Sequence, residues 1–141
     1  MKYVYLLAIA LTIVACSDSA KSSTSTSKGT AEQVAKMDAN IPQEISSDQL
    51  QTMIGSGKEV VLLDVRTPGE IADGKIAGAI EADYKNDNFS AELDKLDKDK
   101  HYVVYCKKGG RSSKSIDLMK EKGFTKCTNL KGGYTDWASK K

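Results

Sequence analysis

Two stretches of nearly continuous apolar sequence constrain the fold of this chain most strongly. Residues 60–65 read Val-Val-Leu-Leu-Asp-Val, and residues 101–105 read His-Tyr-Val-Val-Tyr. A strand with one face in solvent alternates apolar and polar residues, whereas a strand covered on both faces does not need to. We therefore predict that these stretches are central strands of a parallel sheet with helices packed on both faces.

The remaining segments alternate in the order that such a sheet requires. Helical patterns fall between the predicted strands, and glycines such as Gly123 end several of them. This alternation favours an α/β fold with a mostly parallel sheet. The predicted strands are residues 43–46, 60–65, 79–82, 101–105 and 126–130. The predicted helices are residues 49–54, 90–96 (capped by its first residue, Ser90) and 112–122, with a turn or helix start at 67–70 and a short last helix that contains Trp137.

The first residues of the chain are typical of an export signal. One lysine precedes an apolar run over residues 3–15, which is shorter than a typical transmembrane helix and has the form of a secretory signal peptide. The run ends in Ile13-Val14-Ala15-Cys16, which resembles the lipobox of bacterial lipoproteins. In those proteins cleavage precedes the cysteine, which then becomes the lipidated N-terminus. The alternative is an ordinary signal peptide followed by a chance cysteine.

The domain organisation follows from this interpretation. We predict a signal peptide at residues 1–15, a lipidated Cys16 with a Ser/Thr-rich tether through residue 40, and one domain at residues 41–141. The expected location is the cell envelope, with the lipid in the outer membrane or on the periplasmic face of the inner membrane. The sequence does not decide between these two membranes.

Charge and cysteine content narrow the classes of partner. The net charge is +2, from 21 basic and 19 acidic residues, which gives no reason to expect nucleic acid as a partner. The spacing of the three cysteines and the single histidine, His101, matches no short zinc pattern. We expect no cofactor, no metal and no disulfide framework. We expect a monomer whose only membrane contact is the N-terminal lipid.

The segment that carries chemistry begins at Cys106 and reads Cys-Lys-Lys-Gly-Gly-Arg-Ser. A thiol is a nucleophile only as thiolate, and its ordinary pKa is about 8.5. Here a helix N-terminus, glycine amides and nearby cations would all favour the thiolate and would also bind a small anionic substrate. Ligands of such sheets bind at the carboxyl ends of strands, where this segment lies. We predict Cys106 as the catalytic residue and, as substrate-binding residues, Lys107, Lys108, Gly109, Gly110, Arg111 and Ser112.

A buried structural thiol is the alternative role for each cysteine of the domain. For Cys127 we accept that role, because it lies in a predicted strand among ordinary neighbours. For Cys106 we reject it, because a core thiol does not need a glycine-rich cationic turn. His101 would be roughly 16 Å from Cys106 if both lie at opposite ends of one strand. We therefore expect His101 to be an exposed residue at the strand entry and not a base for the cysteine.

Four segments in register resemble the rhodanese-domain sulfurtransferases. The loop that follows Cys106 is similar to their active-site loop. Residues 62–70, 73–80 and 130–137 are similar to three further family signatures. Lys75 stands where the family usually has a histidine. Asp64, Arg66 and Glu70 match positions that are mainly structural in the family, and we expect a salt bridge at a strand end there. The resemblance covers about residue 45 to the C-terminus and implies a mostly parallel five-stranded sheet.

The resemblance also implies an activity. The Cys106 thiolate would take the outer sulfur of an anionic donor such as thiosulfate, and an acceptor such as cyanide or a thiol would then remove it. Related phosphatases on this fold have a loop one residue longer than the four residues between Cys106 and Arg111. The loop length is that of the sulfurtransferases, and the cations of the loop resemble those of family members that use thiosulfate more than those that use mercaptopyruvate, so the expected function is a thiosulfate-type sulfurtransferase. The alternative is a persulfide carrier or a non-catalytic module that binds a partner protein in the cell envelope.

Overall fold

The computed structural model describes residues 36–141. The predicted signal peptide and the predicted lipidation site at Cys16 lie outside the described residues. Within residues 36–141, strands and helices alternate along the chain. Their bounds are β1 (Glu44–Ile45), α1 (Ser47–Gly55), β2 (Val61–Asp64), α2 (Pro68–Ala72), β3 (Ile80–Glu81), α3 (Phe89–Asp94), β4 (Tyr102–Tyr105), α4 (Gly110–Glu121), β5 (Cys127–Leu130) and α5 (Gly133–Ala138).

The strands form one five-stranded sheet in the order β1-β5-β4-β2-β3. Every pair of neighbours is parallel, and the central strand β4 pairs with β2 and with β5. The predicted α/β class with a five-stranded, mostly parallel sheet is confirmed. Because all strands point the same way, their carboxyl ends meet at one edge of the sheet, and the loops that follow them lie close together.

Helices cover both faces of the sheet, as the apolar strands predicted. Tyr102 and Val104 of β4 belong to one buried cluster, with side chains of α3 and α4. Val103 and Tyr105 belong to the other cluster, with side chains of α1 and α5. Successive side chains of a strand point to opposite faces, so a central strand needs apolar residues at every position to fill two cores.

The helix starts were predicted with mixed success. Ser46 caps α1 through a capping box with Gln49, so the helix predicted at residues 49–54 begins two residues earlier, at Ser47. The prediction that Ser90 caps α3 was wrong, because α3 begins one residue earlier, at Phe89. The N-cap residue is Asn88, whose side chain makes no capping hydrogen bond. The helix predicted at residues 112–122 begins two residues earlier, at Gly110.

The chain enters the domain at the amino end of the sheet. The backbone N–H of Asp38 donates to the carbonyl oxygen of Thr125, which precedes β5, at 2.8 Å. The domain boundary at residue 41 stays a prediction. Within residues 36–141, no helix combines the length and the apolar character that crossing a membrane requires.

Candidate active site

Cys106 directly follows β4 and precedes the loop into α4, so it lies at the carboxyl edge of the sheet. Its residue surface is only 2% exposed. The amide N–H of Gly109 donates to Cys106 Sγ at 3.1 Å, and the hydroxyl of Ser112 lies 3.6 Å from the same sulfur. The sulfur is therefore enclosed by hydrogen-bond donors of its own loop and of the first turn of α4.

The loop conformation depends on Gly109. This residue has a φ of +102° and is the N-cap of α4, a left-handed conformation that glycine adopts without strain. A β-carbon at Gly109 would also lie within 4 Å of the backbone of Leu130 and Gly132. The glycine thus lets the chain turn sharply from β4 into α4 while its N–H still points at the sulfur.

The start of α5 fixes the other side of the loop. The N–H groups of Tyr134 and Thr135 donate to the carbonyl oxygens of Cys106 and Lys107, at 2.8 and 3.0 Å. A β-carbon on Gly133 would lie 2.4 Å from the carbonyl oxygen of Cys106, so only glycine fits there. Because α5 takes up these carbonyl groups, the following N–H groups of the loop are free to face Cys106 Sγ.

The environment of Cys106 favours its ionised form. Burial raises the pKa of the thiol, whereas hydrogen bonds from the amide and hydroxyl of Ser112 and from the amides of Lys108 and Gly109 lower it. The outcome is a pKa below the ordinary value for cysteine. The dipole of α4, whose N-terminus faces the sulfur, acts in the same direction.

The predicted substrate-binding residues divide into two groups. Gly109 and Ser112 are buried and line the sulfur directly, whereas Lys107, Lys108 and Gly110 are exposed. The hydrogen bonds that lower the pKa of Cys106 come from amides and a hydroxyl, not from these lysines. The two lysines therefore place positive charge on the exposed part of the loop.

Arg111 enters the site as one half of an ion pair. Its Nη1 and Nη2 atoms each lie 2.7 Å from a carboxylate oxygen of Glu70, which belongs to α2. Both side chains are about one fifth to one quarter exposed, at 21% and 25%. The expected role of Arg111 as a ligand for the donor stays a prediction, and sequence reasoning did not pair it with Glu70.

Asp64 and Arg66 form the buried salt bridge expected at a strand end. Arg66 Nη2 lies 2.6 Å from Asp64 Oδ2, and the guanidinium stacks 4.0 Å from the centre of the Tyr134 ring. Arg66 also donates to the carbonyl oxygens of Glu70 and Gly74. This network joins the end of β2 to α2 and α5, and so holds two walls of the site together.

A cleft of about 200 Å³ lies beside the Cys106 loop. A wider cleft of about 470 Å³ lies at the amino ends of the strands, beside His101 and Lys126, and is remote from the sulfur. The first cleft is the better candidate for ligand access, because it adjoins the loop that holds Cys106. It is lined by Arg66, Glu70, Asp73, Lys107, Tyr134 and Thr135.

Cys127 and His101 have structural surroundings that are separate from the Cys106 site. Cys127 is fully buried, as predicted, and burial raises the pKa of its thiol to about 12. His101 was expected to be exposed, but it is half-buried and its Nε2 lies 2.9 Å from Thr128 Oγ1. It lies at the amino end of β4, opposite to Cys106, so the structure offers no Cys106–His101 pair.

The profile of the rhodanese-like domain family matches residues 46–140. A protein of Allochromatium vinosum named sulfurtransferase is 33% identical over 95 residues, which cover 67% of this chain and 87% of that protein. Human thiosulfate:glutathione sulfurtransferase is 30% identical over 109 residues, which cover 68% of this chain and 93% of that protein. The crystal structure of a rhodanese-related protein from Thermoplasma volcanium has 28% identity and a TM-score of 0.62, and the match covers 70% of this chain and 92% of that one.

The chain belongs to the rhodanese-like domain family. The family match extends from Ser46, before α1, to Lys140, after α5, and thus includes the Cys106 loop. Membership and the sulfurtransferase relatives support sulfur transfer as the general activity of this domain.

Proposed function

We propose that this protein transfers a sulfane sulfur from thiosulfate, or a similar anionic donor, to a thiophilic acceptor through a persulfide on Cys106. The observation that carries the proposal is a buried cysteine of lowered pKa, whose sulfur accepts the Gly109 amide N–H at 3.1 Å and lies 3.6 Å from the Ser112 hydroxyl. Such a cradle stabilises an anionic sulfur without a histidine base. A cysteine with only a structural role does not need such donors around its sulfur.

The first half-reaction loads the enzyme. The Cys106 thiolate attacks the outer sulfur of thiosulfate, a new sulfur–sulfur bond forms, and the bond to the sulfonate sulfur breaks. Sulfite leaves with the electron pair of that bond, and the negative charge now lies on the outer sulfur of the persulfide. Lys107 and Lys108 are exposed beside the loop, where their charge would attract the donor and its sulfonate oxygens.

The second half-reaction returns the thiolate. Cyanide, or a thiolate acceptor, attacks the outer sulfur, and the bond to Cys106 Sγ breaks with its electron pair on Sγ. The thiolate formed in this step receives the same N–H groups as before. Thiosulfate as donor is also supported by the name of the human relative, a thiosulfate:glutathione sulfurtransferase.

The test follows thiocyanate formation from thiosulfate and cyanide. We expect Cys106→Ser to abolish it and Cys127→Ser to retain it, with the mass of one added sulfur atom on wild-type protein after thiosulfate treatment. Activity that persists without Cys106 would refute the proposal. Stable loading of Cys106 without turnover would instead favour the persulfide-carrier alternative, and absence of loading by any donor would favour a non-catalytic binding module.

We further propose that the domain is held in the cell envelope by a lipid on Cys16. The support for this is the lipobox-like sequence Ile13-Val14-Ala15-Cys16 alone. The mass of the mature N-terminus tests it: a diacylated or triacylated cysteine is expected at residue 16, and Cys16→Ser should release the protein from the membrane fraction. An unmodified N-terminus at another residue would contradict the proposal.

A further inference from the structure

The hydroxyl of Ser112 lies among three hydrogen-bond acceptors but has one hydrogen to donate. Its Oγ is 2.6 Å from Asn129 Oδ1, 2.9 Å from the carbonyl oxygen of Gly109 and 3.6 Å from Cys106 Sγ. Ser112 is fully buried, so water does not supply a further donor or acceptor. The shortest contact indicates that the hydrogen lies towards Asn129 when Cys106 is a neutral thiol.

Glu44 determines which end of the Asn129 side chain faces Ser112. Asn129 Nδ2 donates to Glu44 Oε2 at 3.1 Å, across the pair of strands β1 and β5, where Glu44 and Asn129 are direct neighbours. A carboxylate only accepts hydrogen bonds, so Asn129 must present its amino group to Glu44 and its oxygen to Ser112. Rotation of the Asn129 amide by half a turn would place its Oδ1 against the carboxylate oxygen of Glu44, and two acceptors would then face each other.

We propose that Glu44 and Asn129 are positioning residues that hold the Ser112 hydroxyl hydrogen away from Cys106, and so limit the acidity of the thiol on which the proposed function rests. When Cys106 ionises, the hydroxyl must turn from Asn129 Oδ1 to Sγ. Asn129 Oδ1 then faces the lone pairs of Ser112 Oγ, and Glu44 prevents the amide from turning to relieve this. Ionisation therefore gains a charge-assisted hydrogen bond from Ser112 but loses the bond between Ser112 and Asn129, so Ser112 lowers the pKa of Cys106 less than it would without Asn129.

The arrangement distinguishes the two states of the proposed reaction. In the thiolate the negative charge is on Sγ, and Ser112 must leave Asn129 to stabilise it. In the persulfide the charge is on the outer sulfur and Sγ is neutral, so the bond between Ser112 and Asn129 forms again. The chain Glu44–Asn129–Ser112 thus favours the loaded cysteine over the free thiolate.

Other charges near the site must be separated from this effect. Arg111 of α4 is paired with Glu70 of α2, Lys107 and Lys108 lie on the loop, and Lys131 lies 4.0 Å from Glu44. A neutral residue at position 44 removes a negative charge as well as the restraint on Asn129. A double-mutant cycle resolves the two, because a pure charge effect does not depend on Asn129.

The experiment measures the pKa of Cys106 from the ultraviolet absorbance of the thiolate and from the rate of iodoacetamide alkylation against pH, in a Cys127→Ser background. We expect N129A to lower that pKa by about 0.5 to 1 pH unit. We expect E44Q to lower it by a smaller amount in the wild type and not at all in N129A. With S112A, neither change should have an effect. As a control, E81Q removes an exposed carboxylate at the opposite edge of the sheet and should leave the pKa unchanged.

Two results would overturn the inference. One is an unchanged or raised pKa in N129A, and the other is a shift by E44Q that persists in N129A, which would make it a charge effect. If N129A fails to fold, E44Q at the exposed Glu44 is compared with E44Q in the S112A background, where a shift that persists would be a charge effect and would overturn the inference. The titration needs no sulfur donor, so a protein that titrates as expected but forms no thiocyanate would refute the proposed function alone.

Discussion

Arg111 of α4 and Glu70 of α2 form an ion pair with two hydrogen bonds, each with an N···O distance of 2.7 Å. The pair leaves Arg111 with a structural partner at the position where the sequence predicted a ligand for the donor. Because Glu70 lines the cleft beside the Cys106 loop, the pair also joins one wall of that cleft to α4.

The pair should make stability depend on pH in the acidic range. Hydrogen bonds from Arg111 lower the pKa of Glu70 to about 2 from about 4.5. A carboxyl group whose pKa is lower in the folded state adds stability above its unfolded pKa, and this is lost as pH falls through the folded pKa. The free energy of unfolding can be measured with urea from pH 6 to pH 2. Between those two pKa values, it should fall by about 1–2 kcal/mol more in the wild type than in Glu70→Gln. An equal loss in both proteins would contradict this.

The lysines of the loop should act on binding of the donor and not on the thiol. Both Lys107 and Lys108 are exposed, and the thiol receives its stabilising hydrogen bonds from amides and Ser112. We expect Lys107→Gln with Lys108→Gln to raise KM for thiosulfate about three- to tenfold, and high salt to reproduce that rise in wild type. The alkylation profile of Cys106 should stay nearly unchanged. Lys95→Gln, at the end of α3, is the charge control.

Gly133 should be intolerant of a side chain. Its φ is +60°, and an added β-carbon would lie 2.4 Å from the carbonyl oxygen of Cys106. Gly133→Ala should lower the free energy of unfolding by about 2 kcal/mol or more and should remove activity, because the loop must move away from α5. Gly69→Ala is the matched control, since nothing lies within 4 Å of its added β-carbon. Equal effects of the two substitutions in thermal unfolding would refute the argument.

The Ser112 hydroxyl should make Cys106 more acidic. It is one of the donors that lower the pKa of the thiol, so Ser112→Ala should move the alkylation profile to higher pH by about 0.5 to 1 unit. Its neighbour Ser113 is exposed, and Ser113→Ala should leave the profile in place. Cys127, buried with a pKa of about 12, should remain unmodified throughout the pH range. Modification of Cys127 at a rate similar to that of Cys106 would show that burial does not protect it.

The strand elements could be predicted because they depend on local apolar patterns. The apolar run at residues 60–65 contains β2, and the run at residues 101–105 contains β4, because a strand covered on both faces has no solvent-facing position. The position of Cys106 after β4 followed from the same pattern. The start of α4 was less predictable, because it depends on the left-handed conformation of Gly109, whose loop is held by α5.

The sequence by itself determined the α/β class, the order of the elements, the position of Cys106 after a central strand and the four residues between Cys106 and Arg111, because each depends on residue types at short spacing. Only the tertiary structure decided which groups surround the sulfur. Arg111 donates to Glu70 of another helix, and Ser112 donates to Asn129 of β5. Asn129 in turn donates to Glu44 of the edge strand β1. These contacts join residues that are distant along the chain, and no local pattern specifies them. They arise because a parallel sheet brings the ends of its strands and the helices that follow them to one edge.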